Sequence, residues 1–406
     1  MSDRVRPPAG FTAAMVIDAV GSGVWITFSL LYFSYGKGIE LAAAGAALTA
    51  GALTALAAGG LAVGVLTDRL GPFPAAVLSC AVRTVAFPCY LLIDTPAGIA
   101  VVACAISFGD RLYWAAHGGL VRAVAAVGDD QRRVFATLNS LRNIGLGAGA
   151  LAAAGAAAVE GWIGPATWDL IPLANAISFA AAAVLFARLA AGRGSRSRRA
   201  GARERGSYRA VLANRKFVVF AGATLAFTLA SVAFDMLLPV HLRALGLPAW
   251  LPPLAYLLSC VAIPAFQPLA LRMGARSDPM RLMAVSAGLL AAVMAGLVAL
   301  AALTAVSSAV LLTALVLVFS LGEAVFGAVV MTVVLGFAGA GDTGRHTAFY
   351  QLAWGISGAL GPGLHTALFS VAPAVPWLVL ATALALAAVV YLRLARVREP
   401  TAAEAT

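Results

Sequence analysis

Apolar runs long enough to cross a lipid bilayer recur twelve times along this chain of 406 residues. A helix rises about 1.5 Å per residue, so about 20 apolar residues cross a hydrocarbon core roughly 30 Å thick. The runs lie near 11–34, 41–66, 74–93, 97–122, 134–158, 167–190, 214–240, 249–271, 280–303, 307–334, 346–371 and 374–394. Inside hydrocarbon a backbone must satisfy its own hydrogen bonds, which leaves helices as the form for segments of this kind. The expectation is an all-α membrane protein with twelve transmembrane helices. The first run is too long for a secretory signal and lacks a cleavage pattern, so it reads as a retained span.

Composition agrees. Hydrophobic residues make up 62% of the chain and charged residues 11%, with a mean hydropathy of +0.93. Soluble domains run near 45–50% apolar and about 25% charged, so lipid is the solvent for most of this sequence. The net charge of +11 would otherwise suggest a nucleic-acid partner. In a membrane protein it marks the cytoplasmic loops instead, and no nucleic acid is expected. With both termini placed in the cytoplasm, 23 of the 28 Lys and Arg fall inside and only Lys37 and Arg243 outside. The remaining three, Arg83, Arg111 and Arg142, lie within spans. The expected location is the cell membrane, with the chain crossing many times.

The runs divide six and six around a basic segment that holds ten Lys and Arg against one acid, Glu204, between Arg188 and Lys216. This predicts an N-terminal six-helix bundle over 1–190, a basic cytoplasmic linker over 191–213, and a C-terminal six-helix bundle over 214–406 with a short cytoplasmic tail. Two such halves are the plan of many secondary transporters, whose substrates bind near the midplane. The linker is either simply solvated or drawn to anionic lipid.

Few residues are equipped for chemistry. Cys80, Cys89, Cys104 and Cys260 sit in apolar stretches without CxxC spacing and read as small buried hydrophobes. His117, His241, His346 and His365 show no metal-ligand spacing, so no metal is expected. There is no phosphate loop of the G-x-x-x-x-G-K-[ST] type, and no nucleophile, base and orienting group occur together. Neither a cofactor nor an enzyme is expected.

Charges within the spans are the functional candidates, because a charge at the bilayer centre costs roughly 2.5–3.5 kcal/mol and must face a partner or a cavity. Asp18, Asp110, Asp235 and Glu323 fall on the first, fourth, seventh and tenth runs. Helical spacing sets aromatic and polar residues beside the acids. Asp18, Ser22, Trp25, Ser29 and Tyr32 share a stripe, as do Asp110, Trp114 and His117, then Phe319, Glu323 and Phe326, and then Tyr350, Trp354 and Ser357. Acids among aromatics suit an apolar or cationic ligand. The competing reading is that these rings pack between helices. Glu323 and Asp110 lie near mid-span, where desolvation opens proton exchange near neutral pH, with Glu323 ranked first. Arg83, Arg111 and Arg142 are expected to neutralise the acids; binding an anionic substrate and snorkelling are the alternatives.

The turn after the second run reads Gly64-Val65-Leu66-Thr67-Asp68-Arg69-Leu70-Gly71. It resembles the signature between the second and third helices of the major facilitator superfamily. Leu321-Gly322-Glu323 with Gly355-Ile356-Ser357-Gly358-Ala359-Leu360-Gly361-Pro362-Gly363 looks like the twelve-helix bacterial drug-efflux branch. The resemblance implies two pseudo-symmetric six-helix bundles, a central cavity lined by helices one, four, seven and ten, and a monomer. It also implies a gating role for Gly64, Asp68, Arg69 and Gly71, with Asp68 held at the inner gate and Arg69 paired to Asp129 or Asp130. Without the family, Asp68 reads as a capping residue in a basic turn. Two departures stand out: Pro72 and Phe73 follow where the family commonly has basic residues, and Gly145, Gly147 and Gly149 occur without the proline of the efflux signature.

Taken together, the expectation is proton-coupled export of a hydrophobic small molecule by alternating access. Proton-coupled import of a sugar or amino acid is the alternative, and a non-transporting receptor or scaffold comes after it.

Overall fold

The computed structural model describes residues 8–59, 62–124, 138, 141–152, 155, 165–191, 208–248, 250–338 and 343–396. Among them there is no strand. Ten helices are long and apolar enough to cross a membrane. The fifth run lies partly outside the described residues, and 141–152 are helical. The eleventh forms Thr343–Val371, 29 residues long but punctuated by histidine, serine, glycine and Pro362. The described helices and the twelve runs fit one all-α membrane fold.

Contacts divide the chain into two compact units. One comprises Met1–Ala202 with Pro252–Cys260 and Pro362–Ala367; the other comprises Arg203–Leu251, Val261–Gly361 and Leu368–Thr406. The expected linker is mostly outside the described residues, and its end is the short helix Tyr208–Ala213.

The first unit contains α1 (Ala9–Leu31), α2 (Leu41–Gly59), α3 (Ala62–Leu70), α4 (Pro72–Cys89), α5 (Pro96–Val124), α6 (141–152) and α7 (Leu170–Ala191). Helix α4 packs on α5 and α7, α1 on α7, and α2 on α5. Phe11 at the head of α1 meets Phe73 and Phe186 edge to face, both at 6.4 Å. This seals one end of the unit with rings from three helices. Small residues let α6 lie against α1: a Cβ on Gly145 would stand 2.9 Å from the Val16 carbonyl, and one on Gly149 would strike that of Val20. The turn between α3 and α4 depends on Gly71, whose φ of 83° lies in the left-handed region; Pro72 then starts α4, where its missing N–H costs nothing.

The second unit contains α8 (Tyr208–Ala213), α9 (Arg215–Met236), α10 (Leu238–Ala244), α12 (Pro279–Ala299), α13 (Ala305–Phe337) and α15 (Val375–Arg396), with all but Pro252–Cys260 of α11 (Leu251–Arg276) and all but Pro362–Ala367 of α14 (Thr343–Val371). Helix starts are capped by side chains. Asn214 accepts from the Phe217 amide at 3.1 Å, and Asp278 from the Arg281 amide at 2.8 Å, just ahead of Pro279. Helix α12 packs on α13 and α15, and α9 on α15. These helices are apolar on nearly every side, so polar side chains within them stand out.

Candidate transport site

Each unit holds a polar cluster within its spans. In the first, Arg83 of α4 is 2% exposed and lies between two carboxylates. Its Nη2 donates to Asp18 Oδ1 at 2.8 Å and its Nη1 to Asp110 Oδ1 at 3.2 Å. Nη2 also donates to Ser79 Oγ at 3.1 Å, and Nε to the Ser79 carbonyl at 3.4 Å. The Ser79 hydroxyl donates in turn to the Gly109 carbonyl at 2.7 Å, tying α4 to α5. Gly109 has to be small: a Cβ there would come within 2.9 Å of Arg83 Cγ. The guanidinium also sits 3.9 Å over the Phe179 ring, a cation–π contact that adds to its hydrogen bonds.

The two carboxylates differ. The Asp18 side chain is 5% exposed, whereas that of Asp110 is 51% exposed. One turn beyond Asp110, Trp114 is 52% exposed, and the Arg142 guanidinium lies 5.0 Å over its ring. His117 follows with its ring 5.2 Å from Trp114. Arg111 is half-buried and makes no ion pair among the described residues. The structure therefore brings Asp18, Arg83, Asp110, Trp114, His117 and Arg142 together in one unit.

Trp25 and Tyr32 go elsewhere. Trp25 stacks on Tyr90 at 5.0 Å with 10° between planes, and both meet Phe33 edge to face. Tyr32 is fully buried and donates its hydroxyl to the Tyr90 carbonyl at 3.2 Å. The lower half of the helix-one stripe is thus an ion pair and the upper half an aromatic core, where α1 continues into the π-helical turn Tyr32–Gly36.

In the second unit Glu323 is the sole ionisable side chain in the 33 residues of α13. It accepts a short hydrogen bond from the Ser231 hydroxyl of α9. The Ser231 hydroxyl has a second acceptor, the Phe227 carbonyl, at 3.1 Å. Phe326 stacks on Phe227 at 3.6 Å and Phe319 on Phe234 at 3.8 Å, both with planes 8° apart. The antiparallel pair α9 and α13 is closed by a ring stack on each side of the carboxylate. Phe319 and Phe326 are each 2% exposed, so their rings face α9. On α14, Trp354 Nε1 donates to the Tyr350 hydroxyl at 3.1 Å, Tyr350 lies within electrostatic reach of Glu323, and Ser357 shares a 2.6 Å hydrogen bond with Thr228.

Sequence reasoning missed Ser231, Phe227 and Phe234. A signal was present: Phe227-Ser231-Phe234 and Phe319-Glu323-Phe326 share one spacing, four then three residues, as two helix faces that zip together would. It also missed Ser79 and Gly109, for which the sequence holds no comparable signal.

At the gating motif, Gly64 is half-buried, and Asp68 and Arg69 are exposed in the last turn of α3. Arg69 suits that position, since a helix C-terminus favours a cation, whereas Asp68 opposes the dipole there. Asp129 and Asp130 lie outside the described residues. Among the described residues no set of three His, Cys, Asp or Glu side chains could hold a metal ion.

A family model described as Major Facilitator Superfamily matches residues 10–362. No curated protein matches the sequence. Solved structures do match in fold. A bacterial homologue of the iron transporter ferroportin, in an inward-facing state, has a TM-score of 0.77 at 13% identity, over 95% of this chain and 97% of that one. A variant of the nucleoside transporter NupG has a TM-score of 0.74 at 14% identity, over 95% and 98%. A POT family transporter in complex with 5-aminolevulinic acid has a TM-score of 0.74 at 12% identity, over 96% of each chain.

Proposed function

Because this chain belongs to the major facilitator superfamily, and is thus a multi-pass membrane transporter rather than an enzyme, we propose that it couples proton movement to export of a hydrophobic small molecule by alternating access. Glu323 is the proton carrier and Asp110 the second exchangeable carboxylate. Both termini face the cytoplasm of the cell, as the distribution of basic residues supports. Asp68 and Arg69, on the tight turn fixed by Gly71, form the inner gate. The protein works as a monomer in contact with membrane lipid. The neighbours' cargoes differ from one another, so they select none for this chain.

One observation carries the reading. Glu323 is the lone ionisable group of its helix, bracketed by stacked rings and bonded to a neutral hydroxyl, with no ion pair among the described residues. A carboxylate so placed has a proton as its ready means of neutralisation, whereas Asp110 has Arg83. The driving force is the proton gradient, worth about 2.3 kcal/mol per charge per 100 mV of potential. In proteoliposomes with an imposed pH gradient, Glu323→Gln is expected to abolish proton-driven flux while leaving the folded protein intact. Full proton-driven flux by that variant refutes the assignment of the carrier. Flux only in the same direction as the proton refutes export and supports symport, and ligand binding with no flux at all supports a receptor.

A further inference from the structure

The face of the first unit that carries Asp110, Trp114 and Arg142 has the chemistry of a binding surface for a dipolar head group. Asp110 is at the midpoint of α5, a helix running from Pro96 to Val124, and its side chain is 51% exposed. A carboxylate at that depth cannot face hydrocarbon, so this face borders a space holding water or ligand. Arg83 occupies Oδ1 of Asp110, and among the described residues no hydrogen bond reaches Oδ2.

Arg142 approaches the same indole. Its guanidinium lies 5.0 Å over the Trp114 ring and, among the described residues, makes no ion pair with Asp110 or any other acid. Two opposite charges thus flank one exposed tryptophan without a salt bridge between them. Asp18 is no part of this surface, being buried and bonded to Arg83. Of the groups on this face Asp110 and Trp114 are exposed and Arg142 is half-buried, which offers a ligand a carboxylate, an aromatic ring and a guanidinium.

We propose that Asp110, Trp114 and Arg142 bind a zwitterion: Asp110 takes the ammonium group, Arg142 the carboxylate or other anionic group, and Trp114 the apolar body between or beside them. The proposal rests on the transport reading and names its ligand, an amphiphile with a dipolar head in place of a simple organic cation. A cation alone would satisfy Asp110 and leave Arg142 without an anion; an anion alone would do the reverse. A guanidinium offers a carboxylate two parallel N–H donors, and an ammonium presents three protons to a half-bonded carboxylate. The indole adds area for a ring or an aliphatic chain.

The test uses three probes that share one indole body: L-tryptophan, tryptamine and indole-3-propionate, as zwitterion, cation and anion. Binding to the full-length purified protein is measured by calorimetry or thermal stabilisation in lipid nanodiscs. L-Tryptophan is expected to bind about tenfold or more tightly than either partner probe, as the loss of one charged hydrogen-bonding group implies. Arg142→Gln should remove the advantage of L-tryptophan over tryptamine and leave tryptamine binding unchanged. Asp110→Asn should remove its advantage over indole-3-propionate. Should Asp110→Asn fail to fold for want of its bond to Arg83, Arg142→Gln decides alone, since Arg142 takes no part in that network. Tryptamine binding as tightly as L-tryptophan, unchanged L-tryptophan binding in Arg142→Gln, or no binding of any probe overturns the proposal. Failure of the transport reading looks different: the zwitterion still binds with the expected variant pattern, but no pH gradient drives its flux. If a pH gradient drives flux of a simple cation at a rate Arg142→Gln leaves unaltered, the transport reading survives and the zwitterion is refuted.

Discussion

Arg83→Met separates the two carboxylates that share one guanidinium. Asp18, 5% exposed and bonded at 2.8 Å, would be left as a buried charge with its cation gone. Removing one partner of such a pair costs about 3–5 kcal/mol, because the remaining charge keeps its desolvation penalty and loses its compensation. Asp110 is 51% exposed and bonded at 3.2 Å, so solvent already screens it. Asp110→Asn should therefore cost about 1 kcal/mol or less. Methionine keeps much of the arginine's volume against Phe179, so the large effect reports on charge. Adding Asp18→Asn to Arg83→Met removes the stranded charge and should restore about half or more of the loss, a coupling that only a direct pair produces. Reversible unfolding in mixed micelles, with the four proteins of the Asp18 and Arg83 cycle and Asp110→Asn beside them, supplies the numbers. If Arg83→Met costs no more than Asp110→Asn, or if Asp18→Asn adds to its cost, the assignment of Asp18 as the dependent charge is wrong.

Two further outcomes follow from the same geometry. Ser231→Ala removes a hydroxyl that donates to Glu323 and should slow proton-driven flux by about tenfold, as the loss of one hydrogen bond to a charged group implies. The measurement is the rate of flux in proteoliposomes, and Ser231→Thr should keep the wild-type rate by restoring the hydroxyl. Gly149→Ala places a methyl group against the Val20 carbonyl where α6 crosses α1, and such overpacking should cost about 1–3 kcal/mol in the same unfolding assay. Gly155→Ala is its control, since among the described residues nothing lies within 4 Å of a Cβ built there.

The helices were legible because a bilayer turns folding into a problem of length: a run either spans the hydrocarbon or it does not, and hydropathy records the answer position by position. One break was less legible. The run near 214–240 ends at Met236, and Leu238–Ala244 starts with Pro239 in its first turn. Proline marked this place, but its effect depends on what the freed backbone groups meet. Stripes were legible in angle only. Asp18 and Tyr32 share a face of α1, yet 14 residues separate them by about 21 Å along the axis. One meets Arg83 and the other Tyr90. Spacing states the direction in which a side chain points, and depth decides what waits there.

The two units handle a carboxylate in opposite ways, and that difference argues for distinct duties. In the first unit acid and base are matched by a guanidinium fixed from five sides: Asp18, Asp110, both oxygens of Ser79 and the Phe179 ring. Protonating Asp110 there removes the charge that Arg83 pairs with and weakens that bond, whereas an arriving ligand cation meets Oδ2 and leaves the ion pair in place. In the second unit Glu323 has a hydroxyl with a single proton and two acceptors. When Glu323 is ionised, Ser231 donates to it. When Glu323 is protonated, its own O–H can donate to Ser231, whose proton turns to the Phe227 carbonyl. Both states keep every group bonded while the ring stacks on either side hold α9 and α13 together. A site that accepts and releases a proton at the cost of one hydroxyl rotation is suited to turnover. A site whose charge is pinned by arginine is suited to recognition. On this reading the proton that drives turnover is carried by Glu323 in the second unit, while Asp110, the second exchangeable carboxylate, also reads the charge of the cargo in the first.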